Sequence, residues 1–228
     1  MTIQAPPENF SARVRKASWA KHQGVADDPP AEPTEPGVLG ALFEGELHLG
    51  DYTAWHAQQY FVYDALDSGI EALAGDPVTG RFFFPGLSRL SAFAEDLALL
   101  IGPDWRSSIT PLPTTQSYVD RLREVAASWP AGLVAHQYTR YLGDMSGGQA
   151  FRAAANDLYG FDDGPGVRFY NFDGLGDLGE WKAAYRTLLD ELPIGEEERQ
   201  RFIDEVLAAY DFNGAVLGEL AANMRRSV

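Results

Sequence analysis

Gln137 to Phe151 reads QYTRYLGDMSGGQAF, and this stretch decides how the rest of the chain is read. It lies inside a run from Pro130 to Tyr159 that predicts one helix. Val134, Tyr138, Tyr141 and Met145 recur at helical spacing, Pro130 suits a first turn, and Gly160 suits a stop. The middle of the run works against a helix. Gly143, Gly147 and Gly148 stand there, and each interior glycine costs roughly 0.5–1 kcal/mol relative to alanine. Two gains could offset that cost. Gly143 and Gly147, one turn apart, either let another helix approach closely or clear one face for a flat ligand. In the second case Asp144, in the same turn, directs a carboxylate at the rim of the cleared face. A phosphate loop is excluded, because no Gly-Lys-Ser/Thr follows.

Composition narrows the class. A chain of 228 residues with 45% hydrophobic content suits one domain with a sizeable core. There are no cysteines, which excludes disulfides, thiolate metal sites and thiol catalysis and fits a cytoplasmic location. The start, MTIQAPPENF, carries no basic segment followed by an apolar one, and no run approaches the length of a membrane span. A net charge of -15 argues against nucleic acid as a partner.

Taken in order, the chain predicts an all-α domain over residues 1–228. A frayed tail over 1–8 precedes a first helix from Phe10 to Val25, on which Phe10, Val14, Ser18 and His22 form one stripe. That helix concentrates Arg13, Arg15, Lys16 and Lys21, a cluster that stands out in so acidic a chain. Residues 24–37, GVADDPPAEPTEPG, read as a Pro- and acid-rich surface loop. Further helices are expected over Val38–Glu46, from a cap at Asp51 to Ala74, over Leu87–Ile101, Thr115–Ser128, from a cap at Asp177 to Leu192, and over Gly195–Arg225. RFFFPG, Arg81 to Gly86, reads as a packed loop, and VRFYNF, Val167 to Phe172, as a short strand.

The chain has four histidines, His22, His48, His56 and His136. None follows a glutamate at the spacing of di-iron bundles, and no His-Glu-x-x-His zinc motif occurs. His136, inside the central helix, reads as structural.

TRYLGDMSGGQ closely resembles the distal-helix signature of heme oxygenases, in the soluble bacterial form that lacks the membrane anchor of animal members. The resemblance extends from about Ser11 to Leu220 and implies an all-α fold that clamps heme between the first helix and the glycine-bearing one. Heme would be cofactor and substrate together. Molecular oxygen, and electrons from a donor such as a ferredoxin with its reductase, would open it to biliverdin, ferrous iron and carbon monoxide. His22, in ASWAKH, takes the place of the family's single iron ligand, and one imidazole leaves the opposite iron face open for oxygen. Arg15, Lys182 and Arg186 match the propionate partners, and Tyr138 adds a hydroxyl. Gly143, Gly147 and Gly148 would face the ring, while Arg140, Asp144 and Tyr63 match residues that organise water. Tyr210 and Asn213 match the last helix more loosely.

Two departures stand out. Ala26 occupies the position where members often hold the second ring nitrogen of the histidine with a glutamate, leaving Asp27 or Asp28 as substitutes. Trp19 replaces a lysine one turn before His22. The competing readings are a non-catalytic heme carrier or sensor of the same fold, and a thiamine-degrading helical enzyme. The latter needs a nucleophilic cysteine, absent here.

Overall fold

Phe10, Val14 and Ser18 all turn inward on α1, Phe10–Asp27, as their one-turn spacing predicts. The computed structural model describes residues 8–27 and 37–224; the expected tail and most of the Pro-rich loop lie outside them. Among the described residues nine further helices follow: α2 Val38–Phe43, α3 Leu49–Ala72, α4 Leu90–Leu100, α5 Trp105–Ser108, α6 Pro113–Ser128, α7 Pro130–Asp144, α8 Gly148–Tyr159, α9 Leu178–Asp190 and α10 Glu196–Met224. No strand occurs among the described residues.

The centre is α7. Leu133, Val134, Ala135, His136 and Tyr141 are buried along it, and α3, α6 and α10 pack around it. The outer helix α1 lies on α9 and α10, which brings the two halves of the expected clamp together through α10. One core cluster runs from Phe10 to Leu220.

Several expectations are corrected by local physics. The predicted helix over Pro130–Tyr159 is two helices, α7 and α8, separated by a turn at Met145–Gly147. Within the turn the N–H groups of Ser146 and Gly147 both donate to the carbonyl of Gly143, at 3.1 and 2.7 Å. The glycines therefore carry a turn between two helices as well as a clearing. The long helix α3 begins at Leu49 with His48 as its cap, so Asp51 sits in the first turn, where its charge meets the helix dipole favourably without capping. VRFYNF forms a 3-10 turn, Arg168–Tyr170, instead of a strand. Pro113 opens α6 two residues before the expected Thr115, as suits a residue with no N–H to satisfy. One start and one stop follow prediction. Asp177 accepts the N–H of Glu180 at 2.8 Å to open α9, and Gly160 ends α8 in the left-handed region at φ 70°.

His136 is held as a core residue. Its Nε2 meets Glu205 at 2.8 Å, and Arg121 grips the same carboxylate at 2.6 Å. Burial opposes the charge on Glu205, but bonds from His136 and Arg121 outweigh it and hold the carboxyl down to about 2.

Candidate active site

Arg140 and Asp144, one turn apart on α7, face Gln59 and Tyr63, one turn apart on α3. Tyr63, fully buried, donates its O–H to Asp144 Oδ2. Arg140 donates through Nη2 to Gln59 Oε1 and through Nη1 to Asn213 Oδ1, at 2.5 Å, from α10. Its guanidinium also lies 5.1 Å from the centre of the Tyr63 ring. Gln59, Arg140, Asp144 and Asn213 line a cavity of about 70 Å³ whose other walls are mainly apolar. Burial raises the Asp144 carboxyl above its usual range, with Arg140 and the Tyr63 bond opposing. Burial and the neighbouring Asp144 push the Tyr63 phenol far up, so it stays protonated and acts as a donor. Further along α3, Asp67 accepts from Tyr141 at 2.6 Å.

Beside this network the helix surface is bare. A Cβ built on Gly143 would meet nothing within 4 Å, and one on Gly147 only the carbonyl of Gly143, at 3.7 Å. Both residues are exposed. Gly148 is different: it is buried, and its Cβ would lie 2.9 Å from the Tyr170 ring. Its lack of a side chain admits a neighbouring turn and does not extend the bare face.

A second group gathers between α1, α7, α9 and α10. Burial raises the Tyr138 phenol, against the pull of Arg186, Ser18 and Arg15, whose groups all bear on it. Burial likewise raises the Tyr210 phenol, with Ser18 opposing. Lys182 donates to Ser146 Oγ at 3.0 Å, and burial followed by repulsion from Arg186 lowers its pKa. Arg186 Nε is buried without an acceptor, as is Arg140 Nε. The expected cations Arg15, Lys182 and Arg186 are thus brought to one region with Tyr138.

His22 lies one turn beyond Ser18 on α1 and is exposed, its ring nearly parallel to that of Trp19, which is itself 62% exposed, with centroids 6.1 Å apart. The side chains of Ala26, Asp27 and Asp28 are outside the described set. Arg13 is paired with Glu196 and Lys21 with Asp211, each at 2.6 Å.

Asn213, expected from its loose match to the last helix, accepts from Arg140. Sequence reading missed Gln59, Ser18 and Ser146. Gln59 carried a usable signal, since it precedes Tyr63 by one helical turn. Ser18 and Ser146 carried none, because a serine on a helix usually satisfies a carbonyl one turn back, as both also do here.

A family profile described as heme oxygenase matches residues 8–219. Heme oxygenase 1 of Nostoc sp. is 35% identical over 192 residues, 84% of this chain and 81% of that protein. The crystal structure of heme oxygenase-1 from Synechocystis sp. in complex with heme superposes with a TM-score of 0.86 at 31% identity, covering 96% of both chains. Heme oxygenase-2 from the same organism, solved with heme and NO, also gives 0.86 at 30% identity, covering 97% of this chain and 88% of that one. No helix among the described residues is long and apolar enough to cross a membrane. With the match spanning nearly the whole fold and the glycine-bearing turn at its centre, this chain belongs to the heme oxygenase family.

Proposed function

We propose that the chain opens heme to biliverdin with release of ferrous iron and carbon monoxide, using molecular oxygen and electrons from a ferredoxin-type donor. The observation that carries this reading is the Tyr63–Asp144–Arg140 network placed directly beside the bare face of Gly143 and Gly147. The residues fit a flat dianionic macrocycle on two counts: open space over those glycines, and a buried guanidinium Nε on Arg186 that lacks an acceptor. When bound, heme supplies both the iron that activates oxygen and the ring that is oxidised.

The protein's share is placement and protons. His22 holds the iron from α1: the buried face of α1 reaches Tyr138 and Tyr210 through Ser18, and His22 is the next residue along that stripe. Arg15, Lys182, Arg186 and Tyr138 hold the two propionates and so set the rotation of the ring. Gly143 and Gly147 let the α7 backbone approach the ring without side chains between. Tyr63 occupies one oxygen of Asp144, and the other can accept from a water in the cavity. Arg140, braced by Gln59 and Asn213, keeps further guanidinium N–H groups at the wall of the same cavity. The network orders water for proton delivery while keeping a bulky acid off the reacting edge. A carrier or sensor would need the cations and the histidine but not this network. Incubation with hemin, reductant and air separates the two: free biliverdin and iron support the enzyme, and heme recovered intact supports a carrier.

Replacing Lys182 and Arg186 together by alanine is expected to weaken hemin binding at least tenfold, since each removes a charge-assisted bond of about 1.5–3 kcal/mol. The freed ring should also give mixed biliverdin isomers, resolved by chromatography. A single isomer from the double variant would show that pocket shape alone orients the ring.

Docking of the electron donor is assigned to the exposed face of α1. The ion pairs of Arg13 and Lys21 cancel part of its positive charge, leaving Arg15 and Lys16 as the exposed cations. The Debye length falls from about 10 Å at 0.1 M to about 3 Å at 1 M, so turnover with ferredoxin should fall with salt. Turnover with ascorbate should not. Equal salt dependence for both donors would remove this docking face.

A further inference from the structure

Residues 166–172 are held far more firmly than a connecting segment requires. Asp96, with 0% exposure, receives the N–H of Gly166 at 2.6 Å, of Arg168 at 3.0 Å and of Phe169 at 2.9 Å. His56 Nε2 meets the same carboxylate at 3.1 Å. Tyr52 donates to the carbonyl of Gly166 at 2.6 Å, Gln149 donates to that of Tyr170 at 3.0 Å, and Arg89 reaches that of Asn171. A buried carboxylate that accepts several backbone N–H groups fixes its segment, because releasing it would leave a charge and its donors unpaired.

What this clamp fixes is a wall of the cavity. Phe169 and Tyr170 line it alongside Arg140 and Asp144. Phe169 meets the Tyr63 ring edge to face at 5.0 Å, and the Tyr170 ring fills the place a Gly148 side chain would take. Phenylalanine would pack here equally well, so the hydroxyl of Tyr170 calls for a reason: a buried phenol is costly unless it finds a partner. Burial, with Tyr52, Asp144 and Tyr63 adding to it, holds that phenol far above its ordinary range, so its proton stays on at neutral pH.

We propose that Tyr170 is a positioning residue of the oxygen-side cavity, its hydroxyl a further hydrogen-bond donor beside Asp144 and Arg140, aimed by the Asp96–His56 clamp. The inference rests on the reading of the cavity given under Proposed function. Tyr170 adds a donor from the 166–172 segment to those that α3 and α7 bring to the cavity.

The test uses the full heme-loaded chain with carbon monoxide as the probe, whose C–O stretch falls when a donor lies near it. Tyr170→Phe keeps the packing and removes only the hydroxyl. The stretch should rise, and biliverdin formed per oxygen consumed should drop about threefold to tenfold, the effect of one hydrogen bond. Hemin affinity and thermal midpoint should stay at wild-type values. In the heme-free chain, Asp96→Asn should speed amide exchange at Phe169 and, once loaded, reproduce the shift of the stretch. If Asp96→Asn does not fold, Tyr170→Phe decides alone. An unchanged stretch and yield in Tyr170→Phe would overturn the inference. If Asp144→Leu still moves both readouts, only the role of Tyr170 falls; if Asp144→Leu is also silent, the reading of the cavity falls with it.

Discussion

Asp144→Leu is expected to lower biliverdin formed per oxygen consumed by about 10²-fold or more, the scale of a lost proton-handling group, while hemin still binds with His22 on the iron. The direction follows from geometry. Asp144 is the acceptor for Tyr63 and lies in the same cavity as the donors of Arg140, so its removal takes out the centre of the group that orders water. Leucine fills the space without accepting. Tyr63 then loses its partner in a buried position, a loss of about 1–3 kcal/mol, so thermal unfolding must be recorded alongside. Asp144→Asn separates the two effects, because its amide oxygen can still accept from Tyr63. It should unfold near the wild-type temperature and keep a measurable part of the yield. Wild-type yield from Asp144→Leu would leave the bare glycine face as the only catalytic element.

His22→Ala is the second large effect. Turnover should fall to background while the propionate partners keep hemin in the pocket, because binding rests on Arg15, Lys182, Arg186 and Tyr138 as well as on the iron bond. Added imidazole should enter the space left and restore a fraction of the activity. His136 is the control. Its ring is tied to Glu205 and Tyr118 inside the core, so His136→Ala should destabilise the fold by about 1–3 kcal/mol through the hydrogen bonds lost there, while Arg121 still holds the carboxylate. The heme spectrum of the folded fraction should not change. The opposite pair of outcomes would move the iron ligand to His136.

The glycine-bearing stretch was legible because two signals disagreed within it. Helical spacing from Val134 to Met145 called for a helix, and Gly143, Gly147 and Gly148 called for a break. The fold satisfies both, with α7 ending at Asp144 and α8 beginning at Gly148. Periodicity could not choose between a kinked helix and two helices, and it could not report that Tyr170, distant in sequence, packs onto Gly148. The same limit explains VRFYNF. Its aromatic and β-branched residues favour a strand locally, but Asp96 takes the N–H groups of Arg168 and Phe169, and local turns take those of Val167, Tyr170 and Asn171. Asp51 was misread because caps are chosen by chain direction at the helix entrance, which a single residue type does not report. Among the site residues, those spaced by one turn on a single helix, such as Arg140 and Asp144, could be grouped from sequence. The partners that complete them, Gln59 on α3 and Asn213 on α10, come together only when the helices pack.

The central claim is that heme bound between α1 and α7 is consumed, not stored. An absorption spectrum of the full chain loaded with one equivalent of hemin, followed after adding ascorbate in air, tests it most directly. The account predicts loss of the Soret band with growth of a broad red band, together with iron that a chelator can trap. A Soret band that persists through the same treatment, with no red band and no free iron, would contradict it.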